Sequence, residues 1–84
     1  MNVYFITFRS VTYGQQGERL LKGSGVRCGL QRSPRWMEEQ GCGYALRIWA
    51  AKIEPAAALL ADRQIPMRRT YLQRQDGQLE EIAT

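Results

Sequence analysis

The order of apolar segments constrains the fold of this 84-residue chain more than any other feature of the sequence. Four segments are rich in β-branched and aromatic residues, which favour strands: residues 2–8, 26–31, 43–49 and 67–74. Two other segments, residues 11–22 and 52–63, carry helix signals. The chain is therefore predicted to run strand, helix, strand, strand, helix, strand.

This order is typical of the ferredoxin-like split βαβ arrangement. Right-handed crossovers would place the first and third strands side by side at the centre of an antiparallel sheet. The predicted fold is α+β, ferredoxin-like βαββαβ, with a four-stranded antiparallel sheet and two helices on one face.

Both predicted helices have recognisable ends. Ser10 is a candidate N-cap for the first helix, and Gly23 with Gly25 would end it. The first helix also contains Gly14 and Gly17, which either permit close approach to the sheet or simply weaken the helix. The second helix has Pro55 near its first turn and ends before Ile65-Pro66.

The length supports a single ferredoxin-like domain, residues 1–84, with one modest core. After the turn signal Asp76-Gly77, residues 76–84 are predicted to be a loosely held C-terminal tail. No run of eighteen apolar residues is present. The residues that follow Met1 lack the pattern of a signal peptide. We therefore expect a cytoplasmic protein that does not enter a membrane.

The sequence has two cysteines and no histidine. In a reducing compartment two cysteines are expected to be free thiols. Without histidine, a four-ligand zinc site and cysteine–histidine catalysis are not expected, and we predict neither a metal nor a cofactor. Whether the chain is an enzyme is left open, and any chemistry would depend on a thiolate.

The two cysteines occur in different patterns. Cys28 alternates in phase with Val26 and Leu30, so it is predicted to be a packed core thiol. Cys42 stands between Gly41 and Gly43, directly before an apolar segment. Two interpretations of Cys42 are open: it meets another molecule, or it merely fills a tight turn.

The predicted topology places Cys42 close to residues 9–12, at the N-terminus of the first helix. Free amides and the positive end of the helix dipole favour a thiolate there, so the pKa of Cys42 is expected to be lowered. Arg9, Arg32 and Arg35 would add positive potential, whereas Glu38 and Glu39 would oppose it.

The net charge of +4 reflects twelve basic and eight acidic residues. It indicates either a solvated surface or attraction to nucleic acid or to an acidic partner. RNA-recognition motifs share the predicted element order. However, Tyr44 is in phase with Leu46 and Ile48 and out of phase with Arg47, so an outward Tyr44 would bury the arginine. These three residues are therefore predicted to face the helices, and Arg47 the opposite side. The remaining alternative is a non-catalytic interaction or regulatory module that presents Arg27, Arg47 and Trp49.

Four segments carry a resemblance to a known family: "ITFRSVTYG", "ERLLKGSGV", "SPR" and "CGYALRI". Through them the chain resembles the putative selenium/sulfur carrier-like family of bacteria over nearly its whole length. Residues matching the family motif are Ser10, Pro34, Arg35, Cys42 and Gly43.

The resemblance implies that Cys42 carries a persulfide or selenopersulfide, with sulfur or selenium donor and acceptor proteins as partners. The predicted site comprises Cys42, Gly43, Ser10, Arg35 and Arg9. A homodimer is compatible with this role, and neither a membrane nor a specific nucleic acid is expected as a partner.

Overall fold

The computed structural model describes residues 1–33 and 43–82. In these ranges the chain forms two helices and five strands. In chain order they are β1 (Asn2–Thr7), α1 (Val11–Gly23), β2 (Arg27–Arg32), β3 (Tyr44–Ala50), α2 (Glu54–Asp62), β4 (Thr70–Gln73) and β5 (Leu79–Ile82). Strand β4 is shorter than the predicted segment, while β2 and β3 each begin one residue later than predicted.

The strands form one antiparallel sheet in the order β2-β3-β1-β4-β5. The register pairs Asn2 with Ala50 and Thr7 with Ala45, so β1 and β3 lie side by side along their whole length. The predicted adjacency of the first and third strands and the α+β class are confirmed. The predicted number of strands is wrong, because the sheet has five strands rather than four.

The fifth strand lies in the segment that was predicted to be a loosely held tail. Gly77 has φ +89°, and the Gln78 amide donates to Oδ1 of Asp76 at 3.0 Å, which together close a tight turn. The Arg74 amide then donates to the Gln78 carbonyl at 2.7 Å, and Leu79 pairs with Gln73. The predicted turn at Asp76-Gly77 is present, but it joins β4 and β5 into a hairpin rather than leading into a loosely held tail.

Both helices pack on the same face of the sheet. The core on this side contains strand residues Tyr4, Ile6, Leu46 and Ile48, together with Leu21 of α1 and Leu60 of α2 (the last five fully buried). Cys28 belongs to this core and is 8% exposed, so its predicted position is confirmed. Alternate residues of each strand point to the opposite side, on which neither of the two described helices packs, and we call this side the helix-free face.

The two glycines of α1 lie where the helix approaches its neighbours most closely. A Cβ atom on Gly14 would lie 2.9 Å from Cδ1 of Leu30. A Cβ atom on Gly17 would lie 3.1 Å from Cδ2 of Leu60 and 3.3 Å from Cζ of Phe8. Of the two interpretations, close approach therefore explains these glycines, and α1 contacts α2 as well as the sheet.

Within the residues that the structure describes, no helix is both long and apolar enough to cross a membrane.

Candidate functional site

The predicted site residues that the structure describes lie at one edge of the sheet. Strands β1 and β2 end there and β3 begins there, since Thr7 pairs with Ala45 and Arg32 pairs with Tyr44. Helix α1 starts shortly after β1 ends. We call this region the helix-start edge; its residues are Thr7, Phe8, Arg9, Ser10, Arg32, Ser33, Gly43 and Tyr44.

Ser10 begins helix α1 as the sequence predicts. Its backbone is extended (φ −138°, ψ 154°), and its Oγ accepts a hydrogen bond from the Tyr13 amide at 3.2 Å. The first turn of α1 contains no acidic residue, so no carboxylate of that turn offsets the positive end of the helix dipole. This helix terminus can therefore stabilise a negative charge that lies close to its free amides.

Gly43 lies at the start of β3 with φ +81°, in the left-handed region that side chains rarely adopt. Its carbonyl accepts a hydrogen bond from the Ser33 amide at 3.0 Å, so the β2–β3 pairing continues one step beyond the strands. Backbone conformation alone thus explains one of the two glycines beside Cys42. Clearance around a reactive thiol is not needed to account for Gly43.

The helix-start edge is rich in arginine. Arg9 and Arg32 are exposed, and the Arg32 guanidinium lies over the Tyr44 ring, 5.7 Å from its centroid. Arg68 and Arg69 also reach this edge: the Arg68 amide donates to the Thr7 carbonyl at 2.8 Å.

The sequence reasoning did not select Arg68 and Arg69, because it placed both inside the last strand. The signal in the sequence is a pair of arginines directly before the apolar part of that strand. Arg69 also forms an ion pair with Glu81 of β5 at 3.4 Å, so part of its charge is balanced.

The structure therefore brings Ser10, Arg9 and Gly43 to one edge of the sheet. Cys42, Arg35 and Pro34 lie outside the described residues, as do Glu38 and Glu39. The assignment of Cys42 as the reactive thiol and the lowering of its pKa stay predictions.

The other cysteine is poorly suited to chemistry. Burial and the neighbouring Glu18 carboxylate raise the pKa of the Cys28 thiol, and Lys22 offsets this only in part. The thiol group also contacts the Glu18 carbonyl oxygen, with Sγ 3.8 Å from it. A thiol that is hard to ionise and enclosed in the core is a poor nucleophile.

In the described part of the chain, no group of three histidine, cysteine or acidic side chains is arranged to hold a metal ion.

Fold and edge together define a small α+β domain whose first helix starts at an arginine-rich edge of an antiparallel sheet. The chain belongs to the family described as "Putative Se/S carrier protein-like", whose model matches residues 3–72. The resemblance seen in the sequence is thereby confirmed. Strand β5 lies beyond the matched residues. Comparison with curated proteins and with solved structures gives no match.

Proposed function

We propose that this chain is a sulfur or selenium carrier in which the Cys42 thiol holds the transferred atom as a persulfide or selenopersulfide. The observation that carries the proposal is the family match, which spans residues 3–72 and so includes Cys42. The described residues at the helix-start edge support it, since the capped start of α1 and Arg9 offer hydrogen-bond donors and positive charge there.

The proposed transfer needs no external oxidant. The Cys42 thiolate attacks the outer sulfur of a persulfide on a donor protein, a new S–S bond forms, and the donor's inner sulfur leaves as a thiolate. The acceptor reaction reverses these roles and returns Cys42 to the thiol. In each step one S–S bond forms as another breaks.

The other site residues would act by stabilising the thiolate. The amides of the first α1 turn, beyond the Ser10 cap, offer hydrogen-bond donors and the positive end of the helix dipole. Arg9 adds a positive charge from the same edge, and we assign the same role to Arg35. Gly43 would allow the backbone turn that follows the thiol.

Several finer expectations belong to this proposal. They are a ferredoxin-like arrangement of the first six elements, a cytoplasmic location, and donor and acceptor proteins as partners. A homodimer remains compatible with them. Cys28 is excluded as the carrier, because it lies in the core and burial raises its pKa.

Intact-mass measurement after incubation with a cysteine desulfurase and cysteine tests the proposal directly. We expect the mass of one sulfur atom to be added to the wild-type chain and removed by a reducing agent. The Cys42→Ser variant should add none. The matched control Cys28→Ala should load like the wild type, since it removes a thiol from the core rather than from the site.

Alkylation provides a second measurement that does not depend on a donor enzyme. In the Cys28→Ala variant, Cys42 should react with iodoacetamide faster than Cys28 does in the Cys42→Ser variant. Its rate should reach half of its maximum below pH of about 8.5, the ordinary thiol value. Equal rates in the two variants, or loading that survives Cys42→Ser, would leave Cys42 with a purely structural role.

A further inference from the structure

The helix-free face carries a group of side chains that the carrier function does not use. Arg27 of β2 pairs in register with Trp49 of β3, and its guanidinium lies over the indole, 4.9 Å from the ring centroid. Arg47 lies over the same indole at 4.8 Å and over the Phe5 ring at 5.8 Å. We call Arg27, Arg47 and Trp49 the arginine–tryptophan cluster.

Two like charges are thus held on one aromatic ring. Since both guanidinium groups contact one indole, they are no more than about 10 Å apart, which is within one screening length at about 0.1 M salt. Neither arginine takes part in any of the ion pairs found among the described residues. An anion bound at the cluster would relieve their mutual repulsion.

The Arg47 side chain also contains an unpaired donor. Its Nε atom is buried and has no hydrogen-bond partner within the described part of the chain. A buried donor without an acceptor costs free energy, and an acceptor supplied by a ligand would recover it if the side chain shifted slightly. Stacked guanidinium groups keep their edges available, and these edges match the geometry of carboxylates.

There is also room for a ligand beside the cluster. Gly29 lies on the same face, directly opposite Arg47 in the register of β2 and β3. A Cβ atom added to Gly29 would meet no atom of the described residues within 4 Å. On the edge strand β2 this leaves a gap between Arg27 and Gln31, bordered by Arg47 across the pair.

From this geometry we infer that the arginine–tryptophan cluster and the gap at Gly29 bind an acidic, carboxylate-bearing segment of a partner protein. Single-stranded nucleic acid is the other polyanion to consider, but it binds through bases stacked on open aromatic rings. Here Phe5 and Tyr71 are 6% and 4% exposed, and Trp49 already contacts two guanidinium groups. The face therefore favours carboxylates over bases.

This surface is distinct from the proposed thiol site. Trp49 and Arg27 lie at the end of the β2–β3 pair opposite to the helix-start edge, and the path along β3 from Tyr44 to Trp49 is about 16 Å. Binding there does not require Cys42 to carry sulfur.

The probe is a fluorescein-labelled peptide of eight glutamates, titrated with the full chain and followed by fluorescence anisotropy. The double variant Arg27→Gln/Arg47→Gln should bind it about tenfold or more weakly than the wild type. The control Arg19→Gln/Arg63→Gln removes the same charge from exposed positions outside this face. It should change affinity by less than about twofold, as screened surface charges do.

A second variant separates the effect of the shape of this surface from the effect of its net charge. Gly29→Val fills the gap without altering any charge, and valine suits a strand, so the unfolding midpoint should not fall. It should weaken peptide binding by about threefold or more, because the ligand and the new side chain compete for one space. All of these results should be the same in a Cys42→Ser background, which separates this inference from the carrier proposal.

Three results would overturn the inference. The first is no measurable binding of octaglutamate by the wild type, and the second is equal weakening by the control pair. The third is that an oligouridylate of equal charge binds more tightly than octaglutamate and that the Arg27→Gln/Arg47→Gln variant loses this binding, which would assign the surface to nucleic acid.

Discussion

Replacing Gly17 by alanine should destabilise the protein, although the same change stabilises most helices. Alanine in place of a helical glycine gains about 1 kcal/mol of helix propensity. The new methyl group would lie 3.1 Å from Leu60 and 3.3 Å from Phe8, and both side chains are completely buried. Overpacking of this kind costs about 1–3 kcal/mol. We expect a net loss of about 1 kcal/mol from the free energy of unfolding.

Two further glycines of α1 provide matched controls. A Cβ atom on Gly23 would meet no atom of the described residues within 4 Å, so Gly23→Ala should be neutral or stabilise by up to about 1 kcal/mol. At Gly14 the nearest atom is a terminal methyl of the partly buried Leu30, which can move aside, so Gly14→Ala should fall between the other two.

Urea denaturation gives the three free energies, and thermal unfolding should show the Tm of Gly17→Ala lowered by about 4–8 °C for a loss of about 1 kcal/mol. If Gly17→Ala is as stable as Gly23→Ala, then α1 does not pack against Leu60 and Phe8 in the way described.

Two other predictions follow from the surroundings of Cys28 and Glu18. Because burial and Glu18 raise the pKa of the Cys28 thiol, stability should be fully retained below the ordinary thiol pKa of about 8.5 and should fall as the pH rises above it. In a Cys42→Ser background, the free energy of unfolding measured between pH of about 7 and 10 should fall with rising pH, by about 1.4 kcal/mol per pH unit at most. Adding Cys28→Ala should remove this pH dependence. Glu18 Oε2 accepts a hydrogen bond from the Leu30 amide at 2.8 Å. Glu18→Ala should therefore lower the free energy of unfolding by about 1–3 kcal/mol and speed hydrogen exchange at that amide. Glu18→Gln, which can still accept this bond, should retain most of the stability and most of the protection from exchange. Unchanged exchange at Leu30 in Glu18→Ala would contradict this account.

The sequence was sufficient for features that depend on local patterns. Period-two alternation placed Cys28 in the core and put Arg47 on the opposite face from Leu46, and the structure confirms both. The N-cap at Ser10 was predicted because a serine before a helix offers an acceptor to a free amide, and this hydrogen bond is present.

Features that depend on contacts between distant segments could not be read in the same way. The last strand pair was missed because Leu79 to Ile82 contains two glutamates, which disfavour strands unless they find partners. Those partners are Arg74 for Glu80, at 2.5 Å, and Arg69 for Glu81. The shared ring of Arg27 and Arg47 likewise exists only once β2 and β3 are in register.

For the candidate site, the sequence predicted the edge and the positive charge of Arg9 and Arg32 there, but not Arg68. Ser10 and Gly43 could be assigned to one edge because the predicted order of strands determines where each strand ends. Arg68 lies at the same edge because β4 begins only at Thr70, several residues after Pro66. No periodicity in the sequence marks the residue at which this strand begins.

The position of β1 has a consequence for how the protein is made. Of the five described strands, the first to leave the ribosome is the central one, and it pairs on one side with β3 and on the other with β4. Its pairing with β4 joins Val3 to Gln73, so the middle of the sheet stays incomplete until nearly the whole described chain has been synthesised. The apolar residues of β1 therefore stay exposed while the rest of the chain is synthesised, and an unpaired apolar strand is prone to aggregate in that period. The β4–β5 hairpin, by contrast, closes between neighbours in sequence and can form as soon as its residues emerge.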